Sequence, residues 1–243
     1  MNINIYSNYE EMSKYACQVI IDQLKQNPFS VFVIPGGNTP AKMVDFLVDA
    51  YKENKVSFKN CTFIGLDEWV GLGKENEGSC QHFLFTNLFN HIDVNPENLF
   101  FFNAKNENLN FECKKIDKKI QELGGVDIMV LGIGLNGHIG FNEPGISFNK
   151  QSHIIDLDST TTSVGKKYFT NNITPNRGIT LGIRNILDAK KVLLLANGEK
   201  KSEILKKVVD TDPIEAIPAT VLKLHKDAEM ILDKEAGRYL FMD

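Results

Sequence analysis

Short apolar runs rich in β-branched and aromatic residues alternate along this chain with longer amphipathic runs. The apolar runs are NINIY, SVFVIP, CTFIGL, NLFFF, VDIMVLG, ITLG, KKVLLLA and AEMILD. Between several of them, apolar residues recur at helical spacing, as in YEEMSKYACQVIIDQLKQ. Strands that alternate with helices form parallel sheets covered on both faces. We therefore predict a single-domain α/β fold over residues 1–243, with a mostly parallel Rossmann-like sheet and helices on both faces.

The composition is that of an ordinary globular protein. The chain is 42% hydrophobic and 24% charged with a net charge of -4, so no global positive field is available to hold nucleic acid. The N-terminus lacks the pattern of a signal peptide, and no apolar run reaches the roughly 20 residues of a membrane helix. We expect a cytoplasmic protein that binds neither nucleic acid nor membranes.

The four cysteines are scattered, without a C-x-x-C pair or a histidine at ligand spacing. We therefore expect reduced thiols that fill core or helix positions and no bound metal.

Ligands of parallel sheets bind at the carboxyl ends of strands. In VFVIPGGNTPAKM, a strand runs into Gly36, Gly37, Asn38 and Thr39 and then into a helix. Backbone N–H groups, a hydroxyl and a helix N-terminus can converge there on an anion, although a plain tight turn is equally consistent with the pattern.

A second strand end, CTFIGLDEWVGL, carries two adjacent carboxylates. Asp67 and Glu68 follow the apolar run directly and precede Trp69, the only tryptophan. A carboxylate at the rim of a sheet, close to apolar surface, can stay basic enough to remove a proton. A helix cap or a turn aspartate is the alternative interpretation.

The stretch LGIGLNGHIGFNEPG contains five glycines, three of which match G-x-G-x-x-G after an apolar run. A dinucleotide-binding fingerprint should open a helix, for which Pro144 and Gly145 leave no room. We favour an active-site loop in which the protonation of His138 is set by Glu143, with Asn136 two residues before it. A histidine with a purely structural role is the alternative.

Two further segments bear on the site. Lys200 and Lys201 stand at a helix start, where cations oppose the helix dipole, so either an anion offsets them or they are solvated surface lysines. The Thr- and Asn-rich stretch from Asp158 to Gly178 is weakly apolar, which favours a surface loop or a mobile lid.

Four motifs, GGNTP, LDEWVGL, LGIGLNGHIGFNEPG and GEKK, at these separations resemble the glucosamine-6-phosphate deaminase (isomerase) family, which is related to the 6-phosphogluconolactonases. The resemblance runs from about residue 5 to about residue 235. GHIGFNEPG is the most specific motif, because a lactonase is expected to have a loop resembling GHTASLFPG there and an arginine after the Asp-Glu pair.

The resemblance implies that a 2-amino-2-deoxyhexose 6-phosphate is isomerised to a ketose 6-phosphate with loss of ammonia, without metal or organic cofactor. By that likeness, Asp67 is the general base that moves a proton between C2 and C1. His138 opens the sugar ring, and Glu143 and Asn136 tune it; some members of the family have Asp at position 136. The likeness places the substrate phosphate among six residues: Gly36, Gly37, Asn38, Thr39, Lys167 and Lys201. Lys167 replaces a frequent arginine, which exchanges a bidentate fork for a point charge.

The finer likeness concerns substrate and regulation. DEWV, SCQHFL and NRGITLGIRNILDAKKVLLL resemble the galactosamine-6-phosphate isomerase branch more than the glucosamine enzymes. The segment PGISFNKQSHIID lacks the basic pair of the allosteric hexameric enzymes, so we predict no such activation. Two alternatives stay open: a 6-phosphogluconolactonase-like hydrolase that uses His138, and a non-catalytic sugar-phosphate sensor. Neither charge pattern nor apolar stripe chooses between monomer and oligomer.

Overall fold

The computed structural model describes residues 1–169 and 175–240. The strands are β1 (Asn2–Tyr6), β2 (Val31–Ile34), β3 (Thr62–Gly65), β4 (Asp67–Trp69), β5 (Leu99–Phe100), β6 (Ile128–Leu131), β7 (His153–Asp156), β8 (Arg177–Thr180), β9 (Lys191–Ala196) and β10 (Ala228–Asp233). The helices are α1 (Tyr9–Gln26), α2 (Asn38–Lys52), α3 (Cys80–Asn87), α4 (Leu109–Glu122), α5 (Ser159–Gly165), α6 (Ile183–Asp188) and α7 (Ser202–Asp210). None of the helices in this described part is both long enough and apolar enough to cross a membrane.

Seven strands form one sheet in the order β1-β10-β9-β6-β2-β3-β5, and every neighbouring pair is parallel. Successive residues of each strand enter two different cores: Val31 and Val33 lie on one face, and Phe32 and Ile34 on the other. Helices α1, α2 and α3 cover the second face, whereas α4, α6 and α7 cover the first. The predicted α/β fold, with a mostly parallel sheet and helices on both faces, is confirmed.

The order in which the chain adds strands to this sheet reverses at its centre, between β2 and β6. From β2 the chain proceeds outward to β3 and β5, and it then returns to β6 on the other side of β2. Loops that leave two such strands diverge, and a crevice opens between them at the carboxyl ends. The glycine-rich loops after β2 and β6 therefore flank one crevice.

The structure also contains a second, three-stranded antiparallel sheet, β4-β8-β7, which corrects one of the predictions. Asp67 follows β3 after Leu66, as expected of a residue at a strand end, and it also begins β4, which pairs with β8. The predicted surface loop or mobile lid from Asp158 to Gly178 contains α5 and the start of β8. Residues 170–174 of that segment lie outside the described residues.

Glycines explain why the second sheet was missed. Trp69 and Phe141 stack edge to face with ring centroids 4.8 Å apart. A Cβ atom on Gly165 would lie 2.5 Å from the Trp69 ring, and one on Gly178 would lie 2.4 Å from the Phe141 ring. The segment is thus held by close backbone approach to two aromatic rings, which hydropathy patterns do not reveal.

The turn between β8 and α6 yields a prediction for stability. A Cβ atom on Gly182 would lie 2.2 Å from the carbonyl oxygen of Lys150 and 2.3 Å from that of Gln151. Because both obstacles are backbone atoms, we expect Gly182→Ala to lower the free energy of unfolding, measured in urea, by about 1–3 kcal/mol. Gly132→Ala is the matched control, since a Cβ there meets nothing within 4 Å. Equal stability of the two variants would contradict the predicted clash.

Candidate active site

A cavity of about 520 Å³ occupies the crevice at the carboxyl ends of β2 and β6. The cavity wall contains eight of the ten predicted site residues: Gly36, Gly37, Asn38, Thr39, Asp67, His138, Lys167 and Lys201. The other two, Asn136 and Glu143, lie behind His138, on the side of its Nδ1 atom. The structure thus brings the predicted residues together from five separate segments of the chain.

The turn from β2 into α2 forms one end of the cavity. Gly37 has φ 113°, a conformation that favours glycine, and it precedes a helix of 15 residues with no side-chain cap. The first N–H groups of such a helix have no partner within the helix and carry its positive end. The Tyr9 hydroxyl braces this turn, since it lies 2.7 Å from the Asn38 carbonyl oxygen and accepts the Lys42 N–H at 3.1 Å. No motif in the sequence marks Tyr9.

Two lysines share this end of the cavity. The Lys201 ammonium donates to the Ile133 carbonyl oxygen at 2.5 Å. Burial, assisted by repulsion from Lys167, lowers the pKa of Lys201 to about 8. Lys167 follows α5 and places its ammonium 4.9 Å from the centroid of the Tyr168 ring. An anion that enters this end of the cavity meets a helix N-terminus and two cations.

Asp67 and Glu68 are adjacent, but their surroundings differ. Glu68 is 1% exposed and accepts three backbone N–H groups, from Trp69 at 2.9 Å, Cys80 at 3.0 Å and Gln81 at 2.9 Å. It therefore joins β4 to the start of α3. Asp67 lines the cavity, and burial raises its pKa to about 7. An aspartate with this pKa can both accept and return a proton near neutral pH.

Cys80 differs from the other three cysteines because it lines the cavity. Cys17, Cys61 and Cys113 are buried free cysteines, whereas Cys80 begins α3 and lines the cavity. Its thiol interacts with the Asp67 carboxylate, and this interaction opposes the rise in the pKa of Asp67. Burial beside Asp67 and Glu68 raises the pKa of the Cys80 thiol far above its usual range, so the thiol is the donor.

His138 is held by a chain of hydrogen bonds behind the cavity wall. Its Nδ1 lies 2.7 Å from Asn136 Oδ1 and 3.6 Å from Glu143 Oε2. The amide of Asn136 donates to Glu143 Oε2 at 2.9 Å, which turns Oδ1 toward the histidine. Because Oδ1 only accepts, Nδ1 of His138 carries the proton and Nε2 keeps its lone pair. Burial lowers the pKa of His138, and the Glu143 carboxylate opposes that effect.

The glycines of this loop make room for the histidine. A Cβ atom on Gly134 would lie 2.2 Å from Cε1 of the His138 ring. Gly137 has φ 87°, which closes a tight turn around position 136. No helix lies between β6 and β7, so the G-x-G-x-x-G match does not open a helix as a dinucleotide fingerprint would. Across the described part of the chain, no cluster of three His, Cys, Asp or Glu side chains is arranged to hold a metal ion.

His138, Asn136 and Glu143 together form the histidine relay. Helix α5 contacts this relay from the other side. Thr161 Oγ1 lies 3.1 Å from His138 Nδ1. The N–H of Asp158, which caps α5, donates to Glu143 Oε1 at 3.3 Å. Sequence patterns indicate neither contact, because both depend on a fold that brings a polar segment over the β6 loop.

Comparison with known proteins agrees with this geometry. The family model described as glucosamine-6-phosphate isomerases/6-phosphogluconolactonase matches residues 7–232. The glucosamine-6-phosphate deaminase of Thermoanaerobacter sp. (strain X514) is 40% identical over 238 residues, which cover 98% of this chain and 94% of that protein. The deaminase of Clostridium perfringens (strain 13 / Type A) is 39% identical over 241 residues, covering 99% and 100% of the two chains.

Solved structures give the same result. A monomeric glucosamine-6-phosphate deaminase is 35% identical, with a TM-score of 0.95 and coverage of 98% of this chain and 99% of that one. A 6-phosphogluconolactonase from Trypanosoma brucei shares the fold at a TM-score of 0.80 and 18% identity, with 98% of each chain covered. The predicted family is thereby confirmed, and this chain belongs to the family of glucosamine-6-phosphate isomerases and 6-phosphogluconolactonases.

Proposed function

We propose that this enzyme converts a 2-amino-2-deoxyhexose 6-phosphate into the ketose 6-phosphate and ammonia. The observation that carries the proposal is that one cavity is lined both by a carboxylate with a pKa of about 7 and by a histidine whose tautomer is fixed. A lactone hydrolase needs a base to activate water, but it has no use for a second base placed like Asp67. The names of the relatives at 39–40% identity agree with a deaminase.

The substrate phosphate binds at the α2 end of the cavity. Amide groups of Gly36 to Thr39 donate to its oxygens, and Lys201 and Lys167 supply positive charge. Anchoring the phosphate at C6 leaves the sugar ring to extend toward Asp67 and His138, which line the same cavity.

Ring opening falls to His138. Its unprotonated Nε2 accepts the proton of the anomeric hydroxyl, and the resulting imidazolium returns that proton to the ring oxygen as the C1–O5 bond breaks. Asn136 and Glu143 stabilise the imidazolium, the first through Nδ1–H and the second through its negative charge. The product is the open-chain aldehyde.

Isomerisation and deamination follow at C1 and C2. Asp67 removes the proton from C2, which leaves an enolamine, and the same carboxyl group returns the proton to C1. The C1=C2 electron pair forms the new C1–H bond, and the nitrogen lone pair forms the C2=N bond. The nitrogen loses one N–H proton and the oxygen at C1 gains one, which leaves a C2 imine beside a C1 hydroxymethyl group. Water hydrolyses this imine to the ketone and ammonia. No electron is gained or lost overall, so acid–base groups suffice.

The configuration at C4 separates two candidate substrates. The relatives found by comparison are named after glucosamine 6-phosphate. Two of the segments that resemble the galactosamine branch contribute Trp69 and Cys80 to the cavity wall. The resemblance to that branch therefore includes residues that line the proposed substrate site. One or two polar contacts decide between the epimers, and the rates with the two sugar phosphates at equal concentration name the preferred one.

Release of ammonia, with the ketose phosphate detected in parallel, tests the reaction. We expect turnover of at least one amino-sugar phosphate, with kcat lowered about 10²–10⁴-fold in Asp67→Asn because the C2 proton loses its acceptor. The acid limb of the wild-type kcat/KM profile lies near pH 7, since Asp67 must be ionised to act and its pKa is about 7. Hydrolysis of 6-phosphogluconolactone that survives in Asp67→Asn, without ammonia from either sugar, would assign the hydrolase instead.

Cys80 offers a test of how the base is tuned. Cys80→Ala removes a donor to the ionised form of Asp67, so the pKa of Asp67 rises further and the acid limb moves up by about 0.5 pH unit or more. Cys80→Ser keeps a donor and should leave the limb close to its wild-type position. Cys113→Ala, a buried thiol outside the cavity, is the matched control. An acid limb that is identical in wild type and Cys80→Ala would refute the tuning.

Lys201 offers a test of the phosphate site. Lys201→Gln should raise KM about 10–100-fold, the value of one charge-assisted contact, with a smaller effect on kcat. The wild-type KM should also rise above pH 8, because the lowered pKa of Lys201 means that the ammonium loses its proton there. Lys200→Gln is the control, since Lys200 is exposed beside Lys201 in the sequence and does not line the cavity. Similar KM values for the two variants would remove Lys201 from the phosphate site.

A further inference from the structure

One threonine of helix α5, Thr161, differs from its neighbours in its burial and in its contact with His138. Thr161 is 6% exposed, whereas Ser159, Thr160 and Ser163 around it are exposed. Its hydroxyl oxygen lies 3.1 Å from His138 Nδ1, the nitrogen that faces away from the reacting side of the ring. A threonine buried on a short polar helix, with its hydroxyl on this nitrogen, points to a role beyond lining the cavity.

Two oxygens on different elements lie within hydrogen-bond reach of the Nδ1–H group of His138. Asn136 Oδ1 accepts Nδ1–H at 2.7 Å, but it also accepts the backbone N–H of His138 at 3.2 Å. Glu143 is 3.6 Å from Nδ1, beyond a hydrogen bond. Thr161 Oγ1 is thus the other described oxygen within hydrogen-bond reach of this group, and two acceptors on different elements fix the plane of the ring.

We infer that Thr161 is a positioning residue for His138: its hydroxyl oxygen shares Nδ1–H with Asn136 and holds the imidazole in the orientation that ring opening requires. This inference rests on the proposed function. The N–H of Asp158 holds Glu143 from the same helix, so α5 joins both ends of the relay. Its continuation, Lys166–Tyr168, carries Lys167 into the phosphate end of the cavity. One short segment therefore aligns the histidine and contacts the phosphate.

Three variants isolate the hydroxyl. Thr161→Val keeps the shape of the side chain and removes its acceptor, whereas Thr161→Ser keeps the acceptor. Thr162→Val is the matched control. Among the residues that the structure describes, the Thr162 hydroxyl hydrogen-bonds only the carbonyl oxygens of Asp158 and Ser159. Ammonia release is measured for all of them with the preferred sugar phosphate, unlabelled and deuterated at C2.

We expect Thr161→Val to lower kcat about tenfold, the fold-change of one net hydrogen bond, with KM within about twofold of wild type. The deuterium effect on kcat should be no larger than in wild type, because the slowed step precedes C2–H cleavage. Thr161→Ser should stay within about twofold of wild type, and Thr162→Val should equal it. An unchanged kcat in Thr161→Val, or a larger deuterium effect, would overturn the inference, since the latter places the damage at Asp67.

A second measurement does not depend on turnover. The Nδ1–H proton of His138, followed by NMR with ¹⁵N-labelled histidine, should exchange with water at least about tenfold faster in Thr161→Val than in wild type. Equal exchange rates would overturn the positioning role even if activity fell. If wild type released no ammonia, the proposed function would fail while the exchange rates would still decide whether Thr161 holds the ring.

Discussion

The parallel pairing of β6 with β2 at the centre of the sheet is the constraint on which the site depends. Phe32 pairs with Ile128 and Val33 with Met129, so the two strands end at the same level. The chain therefore delivers the Gly36–Thr39 turn and the His138 loop to one edge, a few residues after each strand. A shift of this register by one residue would move the Gly36–Thr39 turn relative to the His138 loop and would turn buried strand residues toward the opposite face.

The two adjacent carboxylates show how the fold assigns different tasks to similar side chains. Glu68 accepts three backbone N–H groups at the start of α3, so its task is to hold strand and helix together. Asp67 is enclosed without such a set of donors, and its pKa rises to about 7. The satisfied group builds the wall, and the less satisfied one keeps affinity for a proton. The position of Asp67, the base in the proposed reaction, thus depends on a neighbour whose carboxylate is used to hold strand and helix together.

The main sheet could be predicted from sequence because its strands are buried on both faces and appear as continuous apolar runs. Strands β4 and β7 could not be predicted in this way because they do not form continuous apolar runs. They are three and four residues long, mix polar with apolar residues and pair only within the small antiparallel sheet. The cavity residues were predictable because glycines, carboxylates and a histidine follow strand ends. Tyr9, Cys80 and Thr161 were not, since each acquires its role only through contact with a residue distant in the chain.

The close contact between Gly165 and the Trp69 ring gives the protein an intrinsic fluorescence probe. Trp69 is the only indole in the chain, and it is 5% exposed beneath α5, with Phe169 on it at a centroid distance of 5.5 Å. The emission of this single tryptophan, excited selectively over the tyrosines, reports how closely α5 and the residues after it cover the cavity. Any rearrangement that separates Gly165 from the ring would let water reach the indole and shift its emission to the red, without a label or an added substrate analogue.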